Sequence, residues 1–108
     1  MYNATSIRQV HDKVRAMRPG AFIAVRSGEF VQFFFGQAEE VSRLLGEPLD
    51  VGRASYTTLS IHHLRFDDVA RRLLLAGKRP ITLAEKLPSP GGRARFRIVR
   101  DYAPPDGH

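Results

Sequence analysis

Residues 21–35, AFIAVRSGEFVQFFF, decide the fold. Two runs, Ala21–Arg26 and Phe30–Phe35, are rich in β-branched and aromatic residues, and Ser27-Gly28-Glu29 between them suits a tight connection. The stretch predicts a hairpin of two antiparallel strands. Side chains two residues apart share a strand face, so Phe30, Gln32 and Phe34 point one way and Val31, Phe33 and Phe35 the other. Both faces then carry apolar side chains. Either helices cover both, or one face is left partly open as a binding surface.

On the N-terminal side, Ser6 and Gln9 have capping-box spacing, and Ile7, Val10, Val14 and Met17 recur at helical spacing until Pro19-Gly20. This predicts an amphipathic helix over 6–18. On the C-terminal side, Ala38, Val41 and Leu44 predict a short helix over 37–45, with Glu39 and Arg43 spaced as an i,i+4 pair and Gly46 as its stop. A strand is expected over 54–61, with Thr57, Leu59 and Ile61 on its buried face. The strongest helical stripe is Phe66, Val69, Ala70, Leu73 and Leu74, over 65–76, where Asp67 and Asp68 suit the positive end and reach Arg71 and Arg72 one turn on. Strands over 79–84 and 94–100 complete the series, Pro80 favouring an edge or an irregular start for the first. The order predicts an α+β fold: a two-layer domain, a mostly antiparallel sheet with helices packed mainly on one face. Residues 1–102 are expected to form one compact domain and 103–108, with two prolines and a glycine, a flexible tail.

The formal charge is +6 and unevenly placed. Residues 1–50 carry six Arg/Lys and six Asp/Glu, whereas residues 51–108 carry eleven and five. A positive half attracts nucleic acid, anionic lipid or an acidic protein. The chain has no cysteine, which excludes disulfides, thiolate metal sites and cysteine nucleophiles. No apolar run is long enough to cross a bilayer and the N-terminus lacks the apolar core of a secretory signal, so a cytoplasmic location is expected.

Three groups of residues compete for function. In GGRARFRIVRDY, residues 91–102, Arg93, Arg95 and Arg97 alternate with Ala94, Phe96 and Ile98. Their guanidiniums project along about 13 Å of one sheet face, which permits phosphate contact but equally suits the wet side of a strand. His62-His63 and Ser60 invite metal, proton-transfer or nucleophile proposals, with His11 as a distant third ligand. Adjacent residues of an extended segment face opposite sides, and two imidazoles do not complete a zinc site. No cofactor, metal or enzymatic activity is therefore expected. The third group is the aromatic run EFVQFFFG, residues 29–36, which exceeds what one face of a small sheet needs and signals an interaction surface or dimer.

The helix, PGAFIAVRSGEFVQFFFG and the following EEVSRLL resemble the start of bacterial secretion-chaperone-like domains related to the YbjN group. The resemblance implies a fold that binds client peptides or proteins without catalysis, with Phe30, Phe33 and Phe35 on the partner-binding sheet. It also implies a strand where the periodicity of 37–45 gives a helix, and a final helix where the chain has prolines. The expected function is thus a small non-enzymatic protein-interaction module, chaperone-like or regulatory. Its partner would be a protein or peptide, an acidic one by charge, or a second copy of the chain. The alternative is a nucleic-acid-binding protein that contacts phosphates through Arg93, Arg95 and Arg97.

Overall fold

The computed structural model describes residues 4–52, 55–88 and 95–105, with side chains from Ile7 onward. The elements run α1 (Ala4–Met17), β1 (Phe22–Ser27), β2 (Phe30–Phe34), α2 (Phe35–Leu45), β3 (Thr58–His62), a single 3-10 turn (His63–Arg65), α3 (Phe66–Gly77), β4 (Ile81–Leu87) and β5 (Arg95–Tyr102). The strands form one sheet in the order β3-β2-β1-β4-β5. Every neighbouring pair is antiparallel except β1 with β4. The fold is α+β, with a mostly antiparallel sheet.

The hairpin forms as its sequence dictates. Ser27 pairs with Phe30, leaving Gly28-Glu29 as the two-residue loop, and Gly28 takes φ 63°, which a residue with a Cβ adopts at a cost. Val31 and Phe33 join Phe22, Ala24, Leu59, Ile61, Ile81 and Leu83 beneath α2 and α3. Ile23, Val25, Phe34 and Ala84 lie on the opposite face beneath α1, which contributes Ile7, Val10 and Val14. Two helices therefore cover one face and the third covers part of the other.

Several departures have identifiable causes. Phe35 was expected beside Val31 and Phe33, but it takes φ 58° at the start of α2, which breaks the alternation. Its ring packs instead near Phe34 and Tyr56, on the α1 side. The helix α1 starts at Ala4, so Ser6 lies within it and is not its cap. The strand expected from residue 54 starts at Thr58, with Leu59 and Ile61 buried as foreseen. Pro80 precedes β4, which is interior, and its carbonyl accepts a hydrogen bond from the Phe22 N–H. In β5, Leu83 pairs with Arg100 and Ala84 with Ile98, so Val99 is an extra residue that bulges out, 49% exposed. The bulge reverses the alternation: Phe96 packs on the α1 side, while Tyr102 packs against the cluster under α3.

The predicted helix-surface pairs are rewired by tertiary contacts. Arg71 binds Asp68 at 3.2 Å, three residues away, whereas Arg72 reaches Glu47 and the Leu45 carbonyl. Glu40, not Glu39, is the paired acid of α2, and its partner is Arg79 at 2.9 Å. The Arg79 guanidinium also lies 4.0 Å over the Phe22 ring. A Cβ on Gly77 would come 2.9 Å from that ring, so α3 closes on the sheet only with glycine there.

One contact was hidden in the sequence. The chain of β2 turns away into α2 at Phe35, which leaves the first residues of β1 paired with β4 but without a neighbour strand on the β2 side. Gln37 takes that place: its Oε1 accepts from the Ile23 N–H at 2.7 Å and its Nε2 donates to the Ala21 carbonyl at 2.9 Å. A side-chain amide has the donor and acceptor of a peptide group, so it can complete a strand edge. No helix among the described residues is long and apolar enough to cross a membrane.

Candidate nucleic-acid interface

Helix α1 leaves the hairpin end of its sheet face open. Phe30 stands there, 46% exposed, two residues from Gln32 on the same face of β2. Across the ladder Phe30 pairs with His62 and Gln32 with Ser60. The Phe30 and His62 rings meet edge to face at 5.6 Å, and His62 stacks on His63 at 4.7 Å. Phe30, Gln32, Ser27, Ser60 and Asp50 line an open depression.

The floor of this depression is a chain of hydrogen bonds. Gln32 Nε2 donates to Ser60 Oγ at 3.0 Å, and Ser60 Oγ donates to Asp50 Oδ2 at 2.6 Å. Thr58 Oγ1 donates to the same carboxylate oxygen at 2.7 Å, and the Ser60 N–H reaches Asp50 Oδ1. Asp50 thereby satisfies the outer edge of β3. The arrangement presents an exposed ring next to a fixed amide. An exposed ring of this kind can stack on or wedge between nucleobases, and an amide can hydrogen-bond their edges.

The expected partner-binding phenylalanines separate. Only Phe30 is exposed; Phe33 is 0% exposed beneath α3, 6.3 Å from Phe66, and serves the core. Phe35 is half-buried, with the Arg8 guanidinium 3.7 Å over its ring and His11 edge-on at 5.2 Å. The run looked like excess for one sheet face because its members in fact serve two.

The arginine row separates as well. Arg93 lies outside the described residues. Arg95 is exposed and makes no ion pair with another described residue. Arg97 is held by Glu85 at 2.9 Å, on the neighbouring strand. Sheet parity sets both on the α2 and α3 side, the opposite face from Phe30.

The histidines do not converge. His62 Nδ1 accepts from the Leu64 N–H at 3.2 Å, ending β3, and His11 is on α1 against Phe35. Among the described residues no three His, Cys, Asp or Glu side chains are grouped to hold a metal ion. His11 is 3% exposed with neither ring nitrogen hydrogen-bonded to a described residue, and burial pushes its pKa below the usual histidine value, against the opposing pull of Asp12.

Comparison with known proteins adds what the geometry alone does not. The family model for MutS domain I matches residues 5–104. The DNA mismatch repair protein MutS of Rhodopseudomonas palustris strain HaA2 is 33% identical over 100 residues, covering 87% of this chain and 11% of that protein. Its counterpart in strain BisB5 is 33% identical over 99 residues, covering 87% of this chain and 10% of that protein. The chain thus spans about a tenth of the length of these curated relatives. The match overturns the resemblance to secretion-chaperone-like domains, and with it the chaperone-like, protein-interaction reading. The helix at 35–45 agrees, since that resemblance required a strand there.

Proposed function

The chain belongs to the MutS domain I family, and from that membership we propose that it is a non-enzymatic DNA-binding domain that inspects duplexes for mispaired bases. The observation that carries the reading is Phe30, a half-exposed aromatic ring beside the Gln32 amide in a domain whose relatives are named DNA mismatch repair proteins.

The energetics favour a mispair over a matched pair. Opening a stacked step costs a few kcal/mol, and least where the base is mismatched. Stacking on an aromatic side chain returns about 1–3 kcal/mol per base. At a matched step the two terms nearly cancel, so a wedge at Phe30 gains little. At a mispair the cost falls while the return stays. The net charge of +6 supplies attraction to any duplex and no discrimination.

The test is fluorescence anisotropy with short labelled duplexes, matched or carrying one mispair, over a range of salt. Binding that weakens steeply with salt, tighter for the mispaired duplex, is the expected result. No binding to either duplex at low salt would end the reading.

A further inference from the structure

We infer that His62 is a DNA contact in its own right: its ring Nε2–H donates to a phosphate oxygen of the strand whose base meets Phe30. The inference rests on the DNA-binding reading above and adds to it a contact residue on the neighbouring strand.

The position of the ring hydrogen follows from how β3 ends. The Leu64 N–H points at His62 Nδ1 from 3.2 Å, which makes the imidazole the side-chain cap of the 3-10 turn His63–Arg65. A backbone N–H only donates, so Nδ1 must accept, and an imidazole nitrogen that accepts carries no hydrogen. The hydrogen is then on Nε2. That atom makes no hydrogen bond to a described residue and is not buried. His62 pairs directly with Phe30 across the ladder, so the two side chains share one sheet face, and both are partly or half exposed there. The cap therefore aims the one donor of the ring at solvent beside the exposed phenylalanine.

The ring is also held in one orientation. It meets Phe30 edge to face at 5.6 Å and stacks on His63 at 4.7 Å, while the His63 N–H is tied to the Glu29 carbonyl of the hairpin loop at 2.8 Å. Its rotamer freedom is thus lost on folding and costs nothing more when a ligand arrives. A base stacked on Phe30 keeps its sugar and phosphates to one side of the ring. His62 flanks that ring on β3, the last strand of the sheet. Phosphate oxygens only accept, and with the sugars they take roughly half or more of protein–DNA hydrogen bonds. A fixed donor beside a wedge suits that backbone, setting the register in which the ring meets the stack.

Two variants divide the imidazole between them. In His62→Asn the side-chain oxygen stands where Nδ1 stood and keeps the cap, but the amide stops short of the Nε2 position. In His62→Gln the amide reaches the Nε2 position and the cap is given up. H62N should keep the urea midpoint of the wild type and lose about tenfold in affinity for a mispaired duplex, the worth of one hydrogen bond to a charged group. H62Q should be less stable and keep most of the affinity. Above neutral pH the loss in H62N should leave the salt slope unchanged, because a neutral donor displaces no counterion. Methylphosphonates placed one at a time along the mispaired duplex should find a phosphate near the mispair whose neutralisation weakens wild-type binding more than H62N binding. Nitrogen NMR of the wild-type ring should show the hydrogen on Nε2. H62N binding as tightly as wild type, or affinity that follows stability across the two variants, overturns the inference while mispair binding stands. A hydrogen on Nδ1, a salt slope that falls in H62N, or a scan that finds no such phosphate overturns it too. Failure of the wild-type chain to bind any duplex removes the DNA-binding reading itself, and this inference with it.

Discussion

Phe30 and His62 face each other across the β2–β3 ladder with ring centroids 5.6 Å apart and planes at 82°, so the exposed ring is braced from one side only. Its other edge is free to meet a ligand. Phe30→Ala should therefore weaken binding to mispaired DNA by roughly tenfold or more, from the lost stacking. Folding stability should fall by only about 1 kcal/mol, the worth of one aromatic pair. Anisotropy titration and urea denaturation of the same variant separate the two effects; unchanged affinity would remove Phe30 from the interface.

Phe33 gives the opposite pattern. It is fully buried under α3, and Phe33→Ala should destabilise the fold by about 3–5 kcal/mol through the cavity it leaves. A shift in urea midpoint smaller than that of Phe30→Ala would contradict the packing described here.

Gln37→Ala leaves the Ile23 N–H and the Ala21 carbonyl without the partners that Gln37 provides. The expected cost is about 1–3 kcal/mol per unmet group, reduced where water enters. Hydrogen exchange at the Ile23 amide should accelerate specifically, with the amides of β5 unaffected at equal global stability. An Ile23 amide equally protected in the variant would show that the contact is dispensable.

His11 makes stability depend on pH. Its folded pKa lies below 6.5 because burial disfavours the charged ring, so the unfolded chain binds the proton more readily. Stability from this residue is fully present above 6.5 and is lost as pH falls below that value through the depressed folded pKa. Urea denaturation on either side of 6.5 should show this slope in the wild type and a shallower one in His11→Phe. A slope that persists undiminished assigns the effect to other groups.

Arg95 and Arg97 should differ despite their shared spacing. Arg97 is engaged by Glu85, whereas Arg95 makes no ion pair with another described residue. If phosphates reach this strand, Arg95→Ala should reduce the salt slope of DNA binding by about one unit. Arg97→Ala should reduce it less, since the Arg97 guanidinium is already engaged by Glu85. Slopes unchanged in both variants would place the DNA away from β5.

Much of the secondary structure was legible because it follows from local spacing. The alternation of 21–35 gave the hairpin, the stripe from Phe66 to Leu73 gave α3, and Ala38 with Val41 gave α2 against the implication of a family resemblance. The site was legible only in part. Phe30 was among the residues singled out, but Phe33 and Phe35 stood beside it with the same local claim; Ser60 was weighed only as a nucleophile beside His62, and Gln32 and Asp50 carried no signal as single polar residues far apart in the chain. The family was not read from any motif of the sequence; its model matches residues 5–104.

The sequence alone determined which side chains share a face, where helices and turns fall, and that the chain is strongly positive. These depend on backbone geometry and composition, which act over a few residues or not at all through space. Only the tertiary structure decided what covers each face. The left-handed turn at Phe35, the extra residue at Val99 and the short reach of α1 each shift which side chains meet water. Exposure is set by elements distant in sequence, and so the one free phenylalanine and the amide beside it became visible only once the helices were in place.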